Sequence, residues 1–598
     1  MCGIMGYIGD ENAVEIIISG LEDLEYRGYD SAGIAINTKN DTNIIKCVGS
    51  PTNLRNKTQN LYSNIGIGHN RWATHGRADE INAHPHTSRN GLFSIVHNGI
   101  IENYKEIKNS LIKDGFEFAS ETDTEVIAHL LEHHYNGDLK GTVSTVLPML
   151  KGSYAIAILC NDYPDTIVCA KKSSPLFVGT ADNSSFVASD ISAISDKSDR
   201  IFRLNDGEIG MVNKENLRVF DIEGCRIRKT EIKIKKSEKT SDKNGYKHYM
   251  LKEIMEQPTA IRNTINEFFD GKKLKFKSIK WSPEELKSIR SVQFIGCGSA
   301  YHAGMLGKYI CEELFKRNST AEIASEYRYR HPKIDKNTLV VIISQSGETA
   351  DTLAALRIAK ENNAKIISIV NVENSTIALE SENVCLTKAG KEIAVATTKA
   401  FTSQLVAIYC LVLFLASVTD ELDMTTTDNY LDELKMIPEK IENILNKEYD
   451  YNLIADTIIN SQYTCFTGRQ YDYCSAEEAA LKLKEVSYIP CEAYPAGELK
   501  HGTISLIDNN SLVIGLCCSD SLREKNLSNL NEVLARGAKT LTLSRVGTEC
   551  NIQIPKTFDL FYPLLEIIPL QMIAYHTANK KGCEIDKPRN LAKSVTVE

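Results

Sequence analysis

The sequence predicts an α+β unit followed by two tandem α/β units with parallel sheets, and three observations carry that reading. Residues 1 to about 225 alternate short β-rich runs with Gly, Asn and Asp turns, the texture of antiparallel strands; Ala32-Gly-Ile-Ala-Ile, Ile65-Gly-Ile-Gly-His and Gly91-Leu-Phe-Ser-Ile-Val are examples. Beyond residue 248 the texture becomes strand–loop–helix. Val292-Gln-Phe-Ile precedes Gly296-Cys-Gly-Ser, Leu339-Val-Val-Ile-Ile precedes Ser344-Gln-Ser-Gly-Glu-Thr, and Lys365-Ile-Ile-Ser-Ile-Val follows. Strands separated by helices pair in parallel, because the helix returns the chain to the edge where the next strand must start. A similar cycle restarts near residue 455 with Tyr463-Thr-Cys-Phe, a helix from Ser475, Leu512-Val-Ile-Gly-Leu and Thr540-Leu-Thr-Leu. The second half therefore reads as a divergent internal repeat.

These textures divide the chain into 1–225, a linker at 226–247, α/β units at 248–440 and 441–585, and a tail at 586–598. Lys229 to Lys247 holds seven lysines in 19 positions and almost no large apolar residue, which suits exposed chain. Ile232-Lys-Ile-Lys within it also fits a solvated edge strand. The tail is polar without being low-complexity, so it is expected to order against something.

Of the 598 residues, 42% are apolar and 25% charged, a balance that supports large cores. The net charge of −9 offers no global positive field for nucleic acid. Asp10, Glu11 and Glu15 interrupt the first apolar stretch, so no secretory leader is expected. The longest apolar run, Val406 to Val418, has 13 residues, short of the roughly 18 a membrane helix needs. The sixteen cysteines include no Cys-x-x-Cys pair, and several sit inside apolar runs. That usage suits a reduced cytoplasmic chain rather than disulfides or zinc sites.

Cysteine stands second. Removal of Met1 would place a thiol and a free α-amino group on one residue. An amine with a reference pKa of about 7.7–8.0 is a usable base near neutrality, so Cys2 can carry its own activator. Four further clusters accompany it: Tyr26-Arg-Gly-Tyr-Asp-Ser-Ala-Gly-Ile, Arg71-Trp-Ala-Thr-His-Gly, His97-Asn-Gly and Glu121-Thr-Asp-Thr-Glu. A thiolate attacking a carboxamide makes an oxyanion, for which the Asn98 amide and the Gly99 N–H are candidate donors. Arg71 and Asp123 have the charges to hold the carboxylate and ammonium of a free amino acid. Plainer readings exist: Asn-Gly is a common hairpin dipeptide, and Asp123 could cap a helix starting at Thr124. His84-x-His86 supplies too few ligands for a metal.

In the second half, Ser344-Gln-Ser-Gly-Glu-Thr lies between a buried strand and a helix. Hydroxyls and N–H groups at a helix N-terminus cradle anions, and without Gly-Lys-Ser/Thr the motif suits one phosphate better than a nucleotide. An ordinary Ser-rich cap is the plainer alternative. Ser475 with Glu478 reads as a capping box opening a helix. On that helix Lys482 and Glu485, at i and i+3, share a face, as a surface ion pair or as a proton-moving base and its partner. His501 follows on a loop. Lys593 in the tail is a candidate Schiff-base lysine for a ketose carbonyl.

On Cys2 and its accompanying clusters, the first 225 residues resemble class II glutamine amidotransferase domains, the N-terminal-nucleophile glutaminases. The resemblance implies Cys2 as nucleophile, Asn98 and Gly99 as oxyanion hole, and Arg71, Thr74, His75 and Asp123 as glutamine contacts. The later segments resemble SIS (sugar isomerase) domains in tandem. The whole chain is similar to the isomerising glutamine–fructose-6-phosphate aminotransferase family, which serves amino-sugar synthesis. That likeness implies glutamine and fructose 6-phosphate as substrates, glucosamine 6-phosphate as product, no cofactor and a homodimer. It further implies ammonia channelled between sites, with Trp72 as the gate. Ser344, Gln345, Ser346 and Thr349 would hold the sugar phosphate, and Val395 and Ala592 would touch the sugar through their backbones. Glu485 would be the isomerase base, Lys482 and His501 its assistants, with His501 opening the ring, and Lys593 would bind the open ketose under the closing tail.

Two positions depart from the family pattern. Cys297-Gly-Ser-Ala300 stands where Cys-Gly-Thr-Ser is usual, and His501-Gly-Thr where His-Gly-Pro is usual. Three other functions share parts of the pattern. A phosphoribosyl or asparagine-forming amidotransferase would need a pyrophosphate or ATP site. A sugar-phosphate-binding regulator would not need Cys2, Asn98, Glu485 and Lys593, and a deglycase or deaminase would not need the first half.

Overall fold

The computed structural model describes residues 2–38, 41–232, 242–270 and 273–596. The chain falls into two compact units, Met1–Lys239 with Ser594–Glu598, and Thr240–Lys593.

In the first unit two seven-stranded antiparallel sheets stack between helices. One runs, edge to edge, Arg200–Arg203, Phe177–Ala181, Ser184–Ala188, Gly3–Gly9, Ile65–Arg71, Ser31–Asn37, Thr42–Val48. The other runs Arg226–Ile227, Leu217–Phe220, Ile209–Val212, Ile167–Lys172, Gly152–Cys160, Phe93–Ile101, His86–Thr87. The period-two alternation of a strand sorts its side chains between layers. Ile4 and Ile8 face the other sheet with Val96, Ala155 and Ala157, while Met5 and Tyr7 face helix Ala13–Asp23 through Val14, Ile17 and Leu21. Phe93 and Ile95 pack beneath helices Glu125–His134 and Leu139–Val146. Burying both faces suits the lack of any charged side chain in Gly3–Gly9.

The second unit carries two five-stranded sheets, all parallel, with the same connectivity. The first is ordered Asn318–Ile323, Ser291–Gly296, Thr338–Ser344, Lys365–Val370, Asn383–Leu386. The second is ordered Cys491–Pro495, Tyr463–Gly468, Ser511–Leu516, Lys539–Arg545, Ile552–Ile554. Each thus follows the order 2-1-3-4-5, and the connections after its first and third strands leave on opposite sides of a crevice, the usual ligand site of such sheets. The repeats share one hydrophobic core, built largely by helices Lys399–Val418, Tyr471–Ser487 and Tyr562–Lys580.

Several sequence expectations are corrected here. Ordered chain of the first unit continues past residue 225, through strand Arg226–Ile227 and the bridge of Ile232 to Ile201; the lysine-rich stretch from 233 to 241 lies outside the described residues. The 13-residue apolar run sits in a 20-residue helix, Lys399–Val418, because Lys399-Ala-Phe-Thr-Ser-Gln-Leu continues it N-terminally. Length and composition would let it cross a membrane, but 83% of its most apolar window is buried inside the unit. The helix expected from Ser475 starts at Tyr471, so Ser475 and Glu478 form no capping box.

Candidate active sites

The first site gathers where strands end. Gly3 pairs with Asn70, so Cys2, just before one strand, lies beside Arg71 and Trp72 at the end of its neighbour. The Trp72 N–H donates to Cys2 Sγ at 3.3 Å. Asn98, from the facing sheet, donates its amide to the Cys2 carbonyl at 3.0 Å. Gly99 has φ +139°, and a Cβ there would lie 2.0 Å from Ser153 O, so no other residue fits without displacing the strand. Burial pushes the Cys2 thiol up from its ordinary value, and the chain terminus, the Trp72 hydrogen bond and the Arg71 charge oppose it. A thiol so placed needs a base before it can attack.

Arg71 turns its fork onto the loop that follows it. Its Nη1 donates to Arg77 O at 2.9 Å, and its Nη2 to Gly76 O at 3.1 Å and to His75 O. Asp30 fastens the same loop by accepting from Ala73 N at 2.9 Å. Thr74 is left exposed on this loop, Trp72 meets Tyr29 edge-on at 5.9 Å, and His75 meets Tyr104 at 5.2 Å. The buried Asp123 accepts from Ile101 N at 2.7 Å and caps nothing; helix Glu125–His134 begins after Thr124 without a side-chain cap.

His84 and His86 sit in a buried group with His69 and His97. Burial holds His69 down at about 3 and His84 and His86 well below their ordinary value, so the rings are neutral. They serve packing and hydrogen bonding: His86 Nε2 meets Thr122 Oγ1 at 3.1 Å.

The second site lies at the crevice of the first parallel sheet. Ser344 ends the third strand; its Oγ accepts from Gly347 N at 3.0 Å and sits 3.1 Å from Thr349 Oγ1. Ser346 Oγ accepts from Glu348 N at 3.2 Å, and Gln345 O from Asn371 N at 3.1 Å. Gly347 has φ +65° and packs where a Cβ would strike Ser375 Oγ at 1.9 Å. Helix Ala350–Glu361 starts directly after Thr349, so the hydroxyls cluster at its positive end. The equivalent turn of the second repeat is filled from within. Ser519 Oγ, Ser521 Oγ, Asp520 N and Ser521 N donate to the carboxylate of Asp559 at 2.7, 3.0, 2.9 and 3.3 Å.

On helix Tyr471–Ser487 the fully buried Lys482 donates to Glu485 Oε2 at 2.5 Å. Glu478 stands 3.5 Å behind it and accepts from Ser299 Oγ at 2.8 Å and His302 Nδ1 at 2.7 Å, two residues of the other repeat. Burial works to strip the Lys482 charge, but Glu485 and Glu478 outweigh it and its pKa rises. Burial likewise opposes the Glu478 carboxylate, and Lys482 and His302 hold its pKa down nevertheless. Lys593 donates to Glu392, whose carboxylate also accepts from Thr397 Oγ1 at 2.5 Å, Thr398 N at 2.9 Å and Ala400 N at 3.0 Å. The Val395 N–H donates to Asp586 O at 3.0 Å, tying the start of the tail to this segment. Ala592 is half-buried beside Lys593. His501 ends a 3₁₀ turn, Glu498–His501, and is itself exposed; its side chain makes no hydrogen bond or ion pair among the described residues.

The glutamine amidotransferase domain family matches residues 69–196, and the SIS domain family matches 285–414 and 457–578. Proteins called glutamine--fructose-6-phosphate aminotransferase [isomerizing] from Caldanaerobacter subterraneus subsp. tengcongensis and Clostridium tetani are each 45% identical over 608 residues, covering all of both chains. That from Thermus thermophilus is 41% identical, again over the whole of both chains. The chain belongs to the isomerizing glutamine–fructose-6-phosphate aminotransferase family.

A solved C-terminal domain of glucosamine-fructose-6-phosphate aminotransferase from Francisella tularensis is 41% identical, covers 58% of this chain and all of its own, and superposes with a TM-score of 0.56. Membership of the aminotransferase family accounts for the pairing of an amidotransferase unit with two SIS domains. Within this family member, the structure gathers Cys2, Arg71, Trp72, Asn98 and Gly99 in one unit, and Lys482 with Glu485 in the other. It leaves Thr74 and His501 exposed.

Sequence reasoning missed Glu392, His302 and His69, and it read Glu478 as a cap. The signal for Glu392 was a carboxylate just before the apolar Ile393-Ala-Val-Ala run, where an unpartnered charge would be costly. His302 and His69 carried no local signal.

Proposed function

We propose that this chain takes ammonia from glutamine and delivers it to fructose 6-phosphate, yielding glutamate and glucosamine 6-phosphate. The observation that carries the reading is the full-length likeness to isomerizing aminotransferases, in a chain that holds Cys2, Asn98, Gly99, Lys482, Glu485 and Lys593.

Once Met1 is removed, the α-amino group of Cys2 accepts the thiol proton. The thiolate then adds to the glutamine side-chain amide. The Asn98 amide and Gly99 N–H receive the oxyanion; as it collapses the α-ammonium returns the proton to the leaving nitrogen, ammonia departs, and water hydrolyses the thioester to glutamate and the free thiol. Trp72 gates the ammonia, and Arg71, Thr74, His75 and Asp123 form the glutamine pocket. Ammonia must reach the sugar unprotonated, because ammonium has no lone pair with which to attack a carbonyl.

Ser344, Gln345, Ser346 and Thr349 hold the phosphate, and the backbones of Val395 and Ala592 hold the sugar. The filled turn at Asp559 supports assigning the phosphate to the first repeat. His501 opens the ring and Lys593 engages the open-chain carbonyl. Lys593 condenses with that carbonyl with loss of water, ammonia displaces the lysine amine at C2 to leave the fructose imine, and Glu485 takes the C1 proton and returns it at C2, with Lys482 stabilising its carboxylate.

We further infer a homodimer, since SIS domains commonly pair, and a cytoplasmic setting, which the many cysteines buried among apolar side chains suit.

The test measures glucosamine 6-phosphate formed by wild type and Cys2→Ala with glutamine or ammonium. The reading expects product from wild type with glutamine, and from Cys2→Ala only with ammonium. No product from wild type with either donor overturns it in favour of a sugar-phosphate-binding regulator.

A further inference from the structure

The side-chain amide of Asn98 is the one catalytic donor whose useful end depends on which way it is turned. With its NH₂ toward Cys2 it offers a hydrogen to an oxyanion; flipped, it offers an oxygen and repels one. Two backbone carbonyls settle the orientation seen here. Cys2 O lies 3.0 Å from Asn98 Nδ2, which requires the NH₂ on that side and places Oδ1 on the other. On that other side stands the fully buried His69, its Nε2 3.0 Å from Asn98 Oδ1 and 2.9 Å from His97 O. Both neighbours of Nε2 are acceptors, so Nε2 carries the hydrogen and shares it between them. The opposite ring nitrogen, Nδ1, is buried and makes no hydrogen bond, as the unprotonated nitrogen of a neutral ring.

We propose that His69 is a positioning residue for glutamine hydrolysis: its Nε2–H holds Asn98 Oδ1 and thereby keeps the Asn98 NH₂ turned toward Cys2. The proposal rests on Asn98 acting in the oxyanion hole. Its reach is specific. Glutamine itself is neutral at the reacting carbonyl, so a misturned amide costs little in binding and much in the transition state.

Three features prepare His69 for this task. It occupies strand Ile65–Arg71 in the sheet that also carries Gly3–Gly9, so it reaches across to the Asn98 strand of the other sheet from directly beside the nucleophile's own strand. The His84 ring lies 4.2 Å away, between centroids, and limits its rotation. Burial keeps the imidazole neutral through the working pH range, so the donor does not change its state as the reaction proceeds.

The experiment compares His69→Leu, His69→Gln, Asn98→Ala and His69→Leu/Asn98→Ala as full-length chains. The readouts are glutamine hydrolysis, inhibition by the γ-aldehyde of glutamate (a tetrahedral-adduct mimic), and ammonium-supported synthesis. Asn98→Ala is expected to lower kcat by about 10²–10³, as loss of one oxyanion donor does. His69→Leu is expected to lower kcat at least tenfold with KM within threefold, to weaken the aldehyde by the same factor as kcat, and to add nothing to Asn98→Ala. His69→Gln, whose amide can donate to the same oxygen, is expected to recover most of the activity.

Additive losses in the double variant, or a loss confined to KM, overturn the proposal. So does a His69→Gln no better than His69→Leu while circular dichroism and ammonium-supported synthesis stay normal. If His69→Leu does not fold, the decision passes to His69→Gln, whose activity must then stay within tenfold of wild type. An Asn98→Ala variant with normal hydrolysis would instead sink the oxyanion-hole reading beneath the proposal.

Discussion

Lys593 donates its ammonium to Glu392, and Glu392 is in turn held from behind by Thr397, Thr398 and Ala400. The pair is buried on both sides, so the Lys593 side chain is held in place by a carboxylate 201 residues away in sequence. The pairing favours the charged form of both groups: Lys593 and the bonds from Thr397 and Thr398 hold the Glu392 carboxyl below its ordinary value despite its burial.

Glu392→Ala removes the carboxylate that holds Lys593 in place and is expected to lower ammonium-supported synthesis by about 10²-fold, in line with misplacing a positioned group. Glutamine hydrolysis should stay within twofold. Borohydride trapping of the ketose, read by mass spectrometry, should label wild type and miss Lys593→Met; equal labelling of both would remove Lys593 from the Schiff-base role.

Glu485→Gln keeps the length of the side chain and removes the proposed base. Ammonium-supported product should fall by about 10²–10⁴-fold, and deuterium exchange at C1 of the sugar should stop. Exchange at the wild-type rate would move the proton transfer to another group.

Gly99→Ala places a methyl carbon 2.0 Å from Ser153 O at φ +139°. The strained backbone should cost about 1–3 kcal/mol in urea unfolding. Glutamine-dependent synthesis should fall at least tenfold because the Gly99 N–H is turned from its line, while ammonium-supported synthesis persists. An unchanged unfolding midpoint would contradict the close approach.

The first unit should be acid-labile well above the carboxylate range. Burial holds His69 down at about 3 in the fold and His84 and His86 well below their ordinary value, against about 6.5 unfolded. A base whose folded pKa is depressed stabilises the fold fully above its unfolded pKa and loses that contribution as pH falls below it. Each such histidine removes up to about 1.4 kcal/mol per pH unit below 6.5. Trp281→Phe leaves Trp72 as the sole tryptophan, so its fluorescence reports this unit. The urea midpoint should drop between pH 7.5 and pH 5; a midpoint constant over that window would mean the rings are solvated.

Asp559 accepts four hydrogen bonds from the turn Ser519–Ser521. Asp559→Ala leaves those donors without their acceptor and should cost about 1–3 kcal/mol. The KM for fructose 6-phosphate should stay within twofold, since the proposed phosphate site lies in the other repeat. A large rise in that KM would place sugar at the second crevice.

What the sequence determined by itself was whatever depends on neighbours in the chain. A cysteine at position 2 is adjacent to its own amine without any fold. Lys482 and Glu485 meet because residues three apart share a helix face. Short β-rich runs between Gly, Asn and Asp turns, and then strand–helix alternation, announced antiparallel sheets and then two parallel ones.

Only the tertiary structure decided which distant groups those residues would find. Ser299 reaches Glu478 across 179 residues and turns a seeming helix cap into part of a buried charge network. Arg71, expected to face a ligand, spends most of its fork on the loop carbonyls of His75, Gly76 and Arg77. Helix Lys399–Val418, apolar enough for a bilayer, meets protein on nearly every side. Periodicity encodes a residue's face, which is local. Its partner is selected by the packing of elements far apart in the chain, where burial makes every unpaired charge or amide costly enough to fix one arrangement.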